Sequence, residues 1–205
     1  MQNNNDFKIL IHCFTGTKQF AFKLLDLGAI VAPLTVNTES DHLSYFSILK
    51  PNFIVKDGIV SNLNTNKPIN GFIKELIKEK ESGIIFFSSG TSGSPKAIIH
   101  KTSLLLKRFS TPRIGYKTLN FLMFDHMGGI NTLLHTVFNK GTIIGTKDKS
   151  VLGILNLCSK FHIEVLPATP TFLRMLLMSN LIPNSVSQSL KIITYGTEIM
   201  DQITL

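Results

Sequence analysis

Only two cysteines occur in the 205 residues, Cys13 and Cys158, and they stand far apart. Neither belongs to a C-x-x-C and no His sits at ligand spacing from either, so neither a disulfide framework nor a zinc site is indicated. Two reduced, partly buried thiols in a cytoplasmic protein are the expectation. Long apolar runs are missing as well. No uncharged stretch approaches the ~20 residues that span a bilayer, and Met1-Gln2-Asn3-Asn4-Asn5-Asp6 lacks the basic start of a signal peptide. A cytoplasmic location with no membrane partner follows as an expectation. Acidic residues are scarce, 13 against 21 Lys and Arg, which leaves a net charge of +8. The excess is scattered, and its densest group (Lys74, Lys78, Lys80) alternates with Glu75, Glu79 and Glu81. That is the pattern of a solvated helix face rather than of a stripe along a phosphate backbone, so no nucleic-acid partner is expected. The surplus instead suits attraction of small anions.

What is present is alternation. The 43% hydrophobic content supports a sizeable core. Phe7–His12 reads as a buried strand, Gln19–Leu27 as an amphipathic helix stopped by Gly28, and Ala29–Ala32 as a strand closed by Pro33. Glu39–Leu49 is a helix and Phe53–Val55 a third strand, giving βαβαβ over residues 1–60. The Asn-rich stretch Ser61–Asn70 and the charged helix Phe72–Lys80 read as a linker region, 61–83. From 84 onward the alternation resumes: strands at Ile84–Phe87, Leu119–Phe124, Thr142–Ile144, Glu164–Leu166 and Leu190–Thr194, with helices at Thr102–Phe109, Gly129–Phe138, Ser150–Phe161 and from Pro170 to about Met178. Ser150 and Thr169 are the expected N-caps. The pattern predicts an α/β fold, doubly wound, with mostly parallel sheets and flanking helices. In such sheets ligands bind outside the carboxyl ends of the strands. Three polar segments fall there, 88–96, Asp125–Gly129 and 195–198, and they are expected to converge.

The first of these has the composition a polyphosphate needs. Ser88-Ser89-Gly90-Thr91-Ser92-Gly93-Ser94-Pro95-Lys96 combines glycines that let backbone approach oxygen atoms, hydroxyl donors, and one mobile cation, Lys96. A Gly/Ser hairpin connection has the same composition, which alone leaves both readings open. Spacing removes three familiar loops. Pro95 precedes and Ala97 follows Lys96, so this is no Walker P-loop. Gly90 and Gly93 do not make G-x-G-x-x-G. Ser92 runs directly into Gly93, which excludes a G-x-S-x-G elbow.

An apolar strand followed by S-S-G-T-S-G-S-P-K closely resembles the phosphate-loop signature of the adenylate-forming superfamily, which holds acyl-CoA synthetases, fatty-acyl-AMP ligases, luciferase and peptide-synthetase adenylation domains. One departure is Ala97, where Gly is usual. Further resemblances follow in order: Leu27–Leu34, Phe124-Asp125-His126-Met127-Gly128-Gly129, Leu166–Thr171, and Leu190–Met200 with Tyr195-Gly196-Thr197-Glu198.

The resemblance implies an acid ligase in which a carboxylate attacks the α-phosphate of Mg²⁺-bound ATP to give an acyl-adenylate and pyrophosphate. CoA or an acyl-carrier protein would then take the acyl group. It implies nucleotide contacts from Ser88, Ser89, Gly90, Thr91, Ser92, Gly93, Ser94, Lys96, Gly196, Thr197 and Glu198. It also places His126, Gly128, Thr169 and Thr171 at the acid pocket, with His126 as wall or gate in preference to general base. The likeness extends over part of the family's large N-terminal domain. The family's Y-G-x-T-E, its ribose-binding Asp and its C-terminal catalytic Lys have no counterpart, so a fragment unable to complete catalysis alone is expected. A catalytically inactive ATP- or AMP-binding module is the alternative.

Overall fold

The structure, a computed structural model, describes residues 9–13, 28–35, 40–56, 59–63, 71–89, 94–196, 198–202 and 204, with backbone alone at 9–13 and 89. The helix expected at Gln19–Leu27 lies outside them. The chain divides into two compact units, Met1–Arg108 and Phe109–Leu205.

The first unit contains β1 (Ile9–Cys13), β2 (Ile30–Leu34), α1 (His42–Leu49), β3 (Phe53–Lys56), β4 (Ile59–Asn62), α2 (Gly71–Lys78), β5 (Gly83–Ser89), β6 (Pro95–Lys101) and α3 (Thr102–Lys107). Its six strands lie in the order β4-β3-β1-β2-β5-β6. The inner four are parallel, and β4 and β6 are antiparallel edges. Alternate residues Ile30, Ala32, Leu34, Ile85 and Phe87 face Tyr45 and Leu49 of α1 and Ile73 and Leu76 of α2. Val31, Ile84 and Phe86 are buried as well. Strands covered on both faces read as unbroken apolar runs, as these do. The charged helix α2 turns Ile73 and Leu76 inward and leaves Lys74, Glu75 and Lys78 exposed. Beyond its end Glu79 and Glu81 pair with Lys101, at 2.6 and 3.5 Å.

Two features depart from the sequence expectations. The start of the supposed linker, Ser61 and Asn62, is the end of β4, an exposed strand that begins at Ile59 and pairs antiparallel with β3. All four of its side chains, Ile59 and Val60 included, face solvent, so no alternation of apolar and polar residues marks it. Pro33 lies inside β2 rather than after it. The ladder to β5 is recorded only as far as Val31, while that to β1 runs on to Leu34. β5 pairs with β2 and so belongs to the sheet of the first unit, which runs to Arg108.

The second unit is all parallel: β7 (Lys117–Asn120), α4 (Met127–Phe138), β8 (Thr142–Gly145), α5 (Val151–Phe161), β9 (Val165–Ala168), α6 (Pro170–Ser179), α7 (Asn184–Ser189) and β10 (Ile192–Tyr195). The strand order is β10-β9-β7-β8. The chain steps out from β7 to β8, then crosses back to β9 and β10, so the order reverses between β7 and β9. In doubly wound sheets that reversal opens a crevice at the carboxyl edge. Leu119, Leu166 and Ala168 pack on α5, α6 and α7 through Ile154, Leu155, Cys158, Phe172, Leu173, Leu176 and Val186. Right-handed crossovers place α4 on the opposite face. Both expected caps form: Ser150 Oγ accepts from Gly153 N at 3.1 Å, and Thr169 Oγ1 from Phe172 N at 3.2 Å. Among the described residues no helix is long and apolar enough to cross a membrane.

Candidate functional site

In the first unit, β5 and β6 form an antiparallel hairpin in which Ser88 faces Lys96 and Ser89 faces Pro95. Directly opposed residues put their side chains on the same side of a ladder. Ser88 and Lys96 therefore share the face of Phe86 and His100, whereas Phe87 and Ala97 turn toward α1 and α2. Lys96 is exposed and Ser88 half-buried. Gly90, Thr91, Ser92 and Gly93 lie outside the described residues, and Ser94 is exposed at the foot of β6. The hairpin sets Ser88 and Lys96 opposite one another on one face at the carboxyl end of β5.

The base of this loop is held from below by residues with no obvious sequence signal. The Tyr45 ring stacks on Phe87 with centroids 3.8 Å apart and planes at 15°. Buried His42 donates through Nε2 to the Thr35 carbonyl at 3.1 Å, just past the end of β2, the strand beside β5. Further along the ladder, burial lowers the pKa of His100, with the Arg108 charge adding to the effect.

In the second unit, two of the three expected segments stand at carboxyl ends of strands, Asp125–Gly129 beyond β7 and 195–198 at the end of β10, and Thr169 and Thr171 follow β9. The first segment is shaped by Asn120. β7 stops there, short of the expected Phe124, because the buried Asn120 amide turns the chain. Its Nδ2 donates to Gly129 O at 3.0 Å and its Oδ1 accepts from Leu122 N at 3.2 Å. Gly129 is close enough to the Met123 carbonyl that a Cβ would overlap it. Only glycine permits that approach. His126 sits at the N-cap of α4 with extended backbone (φ −122°, ψ 150°) and makes no side-chain capping bond. Its imidazole is half exposed, with Nε2 3.7 Å from Oδ1 of the buried Asp125. A protonated imidazole would form an ion pair at that distance. Gly128 is half-buried beside it.

On the other side of the switch point, Thr169 spends its hydroxyl on the cap of α6. Thr171 is engaged by Glu198, whose Oε2 accepts from Thr171 N at 3.1 Å and from Thr171 Oγ1 at 2.6 Å. Tyr195, Gly196 and Glu198 are exposed, and Thr197 lies outside the described residues. A separate hollow of ≈ 620 Å³ opens on the α4 side of this sheet, lined by Tyr116, Thr118, Asn131, His135, Pro167 and Thr194 among others. None of the sequence-predicted site residues lines it. Among the described residues no three His, Cys, Asp or Glu side chains group as a metal site.

The sequence matches the family described as "AMP-binding enzyme" over residues 25–204. No curated protein matches it. Solved structures share its fold. The luciferase-like enzyme of the mealworm Zophobas morio superposes with a TM-score of 0.68 at 19% identity, over 96% of this chain and 55% of that one. ATP-bound MatB from Rhodopseudomonas palustris gives 0.62 at 17%, over 93% and 45%. A double mutant of o-succinylbenzoate CoA synthetase (MenE) from Bacillus subtilis, bound to the product analogue OSB-NCoA, gives 0.64 at 17%, over 96% and 45%. The chain spans about half the length of these structures. With the family matched over most of its length and the fold shared, the chain belongs to the AMP-binding enzyme family.

Proposed function

We propose that this chain supplies nucleotide binding for ATP-dependent activation of a carboxylic acid, of acyl-CoA synthetase or acyl-AMP ligase type. The observation that carries the reading is the family match over residues 25–204, inside which the β5–β6 hairpin pairs Ser88 with Lys96 across a Gly/Ser/Thr connection. In the proposed step a carboxylate oxygen attacks the α-phosphorus. The bond to the oxygen bridging to the β-phosphorus breaks, and pyrophosphate departs with that electron pair. The protein has little covalent work to do, so positioning and charge neutralisation dominate. Ser88, Ser89, Thr91, Ser92, Ser94, Lys96 and the amides of Gly90 and Gly93 hold the β- and γ-phosphates. Gly196 and Thr197 present backbone to the adenine, and His126, Gly128 and Thr169 border the acid. CoA or an acyl-carrier protein is the acceptor. The ATP in the MatB structure and the CoA analogue in MenE support ATP and CoA as partners. Mg²⁺ would arrive with ATP. Its ligands would be chiefly the phosphates and water, and no step here runs through the metal. A module that binds ATP or AMP without turnover is the second reading.

Calorimetric titration with ATP and with AMP tests the proposal on the chain and its Lys96→Ala variant. One charge-assisted contact to phosphate is worth ~1.5 kcal/mol or more, about tenfold in affinity. The variant should therefore weaken ATP by about tenfold and leave AMP, which lacks the β- and γ-phosphates, nearly unchanged. Equal ATP affinity in both proteins, or no binding in either, overturns the assignment. Pyrophosphate–ATP exchange with a panel of acids separates the ligase from the inert module.

A further inference from the structure

The parallel ladder of β9 and β10 pairs residues 27 apart, from Val165↔Ile192 to Ala168↔Tyr195. Both strands end there, yet the same offset continues in side chains. Three residues on, Thr171 meets Glu198 through two hydrogen bonds. Three further, Arg174 meets Asp201: Nε donates to Oδ2 at 3.1 Å and Nη2 reaches the same oxygen. Asp201 Oδ1 accepts from Thr204 N at 2.9 Å and Thr204 Oγ1 at 2.8 Å, so both carboxylate oxygens are engaged. The Arg174 guanidinium, followed by the Thr204 hydroxyl, pulls the Asp201 pKa down to about 2. Residues three apart on a helix lie on one face. The chain after β10 thus lies along the first turn of α6.

The donors of that turn can be accounted for one by one. A helix leaves its first four N–H groups without intrahelical partners. Pro170 has none. Thr171 N donates to Glu198 and Phe172 N to Thr169 Oγ1, while Leu173 N makes the first intrahelical bond, to Thr169 O at 3.0 Å. Within the helix, from Pro170 to Leu173, no first-turn amide is left for a substrate carboxylate or a phosphate. A carboxylate is what its dipole favours, and the chain's own Glu198 provides it.

We infer that Glu198 and Asp201 form a two-point latch on Thr171 and Arg174, making Glu198 a positioning residue for the segment 195–198 rather than a ligand of the nucleotide or its metal. The same contacts make Thr171 the partner of that latch and remove it from the acid pocket. The role in nucleotide binding rests on the proposed function; the latch itself does not.

The experiment compares Thr171→Val, Thr171→Ser, Glu198→Gln and the Thr171→Val/Glu198→Gln double variant with the unaltered chain. Amide hydrogen exchange at 195–199 and AMP affinity with and without Mg²⁺ are the readouts. Thr171→Val and Glu198→Gln should each speed exchange at 195–199 about three- to tenfold, the loss of one hydrogen bond to a charged group at an exposed site. Each should weaken AMP by a similar factor, independent of Mg²⁺. Their double variant should be no worse than either, and Thr171→Ser should behave as the unaltered chain. Unchanged exchange in both single variants overturns the latch. A Mg²⁺-dependent loss in Glu198→Gln that Thr171→Val does not share makes Glu198 a metal ligand instead. If the unaltered chain binds no nucleotide, the proposed function falls while the exchange arm still decides the latch.

Discussion

Asn120 gives the sharpest test of how the carboxyl edge of the second unit is built. It is 4% exposed and ties Leu122 N and Gly129 O together across the loop that carries Asp125 and His126. Replacing it with Leu keeps the branched shape and heavy-atom count but strips both bonds. A buried donor or acceptor left without a partner costs ~1–3 kcal/mol. Gly129 O keeps a helical lone pair, so the heavier loss is at Leu122 N, and a total of ~2–4 kcal/mol follows. With a urea m-value of ~1–3 kcal/mol per M, the unfolding midpoint followed by circular dichroism should fall by about 1–2 M. Asn120→Asp adds a sign. Its carboxylate can accept from Leu122 N but faces the Gly129 carbonyl without a proton to donate, and burial disfavours its charge, so its folded pKa is raised. The folded state then holds more protons than the unfolded one, and stability rises as pH falls between the raised folded value and the ordinary carboxylate range. The Asp variant should therefore recover part of its lost midpoint between neutral pH and about pH 5, while the Leu variant does not. A midpoint for Asn120→Leu equal to that of the unaltered chain refutes the reasoning.

Two further outcomes follow from titrating groups. Glu164 lies at the amino edge of the second sheet, where Lys191 Nζ donates to it at 2.6 Å and Lys117 N at 2.9 Å. Those two bonds, the Lys191 one first, lower its pKa. A lowered carboxylate contributes stability above its unfolded pKa and loses it as pH falls through the folded one. Glu164→Gln should therefore lower the thermal midpoint at pH 7 and flatten the acid limb below pH 4, and parallel pH profiles would contradict this. The Cys158 thiol is fully buried and pushed up to about 11 by desolvation. In a Cys13→Ser background, alkylation at pH 8 should proceed only at the rate of unfolding. Rapid labelling of the folded chain would show the site to be open.

Much of the architecture was legible because its signals are local. Apolar runs such as Ile84–Phe87 marked buried strands, Ser150 and Thr169-Pro170 marked helix starts, and a Ser/Gly/Thr run closed by Pro95-Lys96 carried the family resemblance. Each of these is written within a few consecutive residues. The exposed edge strand β4 escaped, since its side chains face water and no pattern of burial reports them. Asn120 escaped as well. An Asn ending an apolar strand usually signals a turn, and only the α4 carbonyl beside it reveals a buried clamp.

The opening segment of the family's resemblance, Ser88–Lys96, depended on sequence alone for its chemistry and on the fold for its geometry. The order of residues named the donors and excluded the commoner phosphate loops. Only antiparallel pairing put Ser88 against Lys96, and only packing set Tyr45 beneath them on Phe87. Glu198 shows the division most clearly. The sequence read Tyr195-Gly196-Thr197-Glu198 as a nucleotide segment and Thr171 as pocket, two separate assignments. The register of β9 with β10 joined them, because a ladder offset of 27 residues carries on into Thr171–Glu198 and Arg174–Asp201. Which donors exist is written in the chain. Which of them remain available for a ligand depends on long-range pairings that no local pattern encodes.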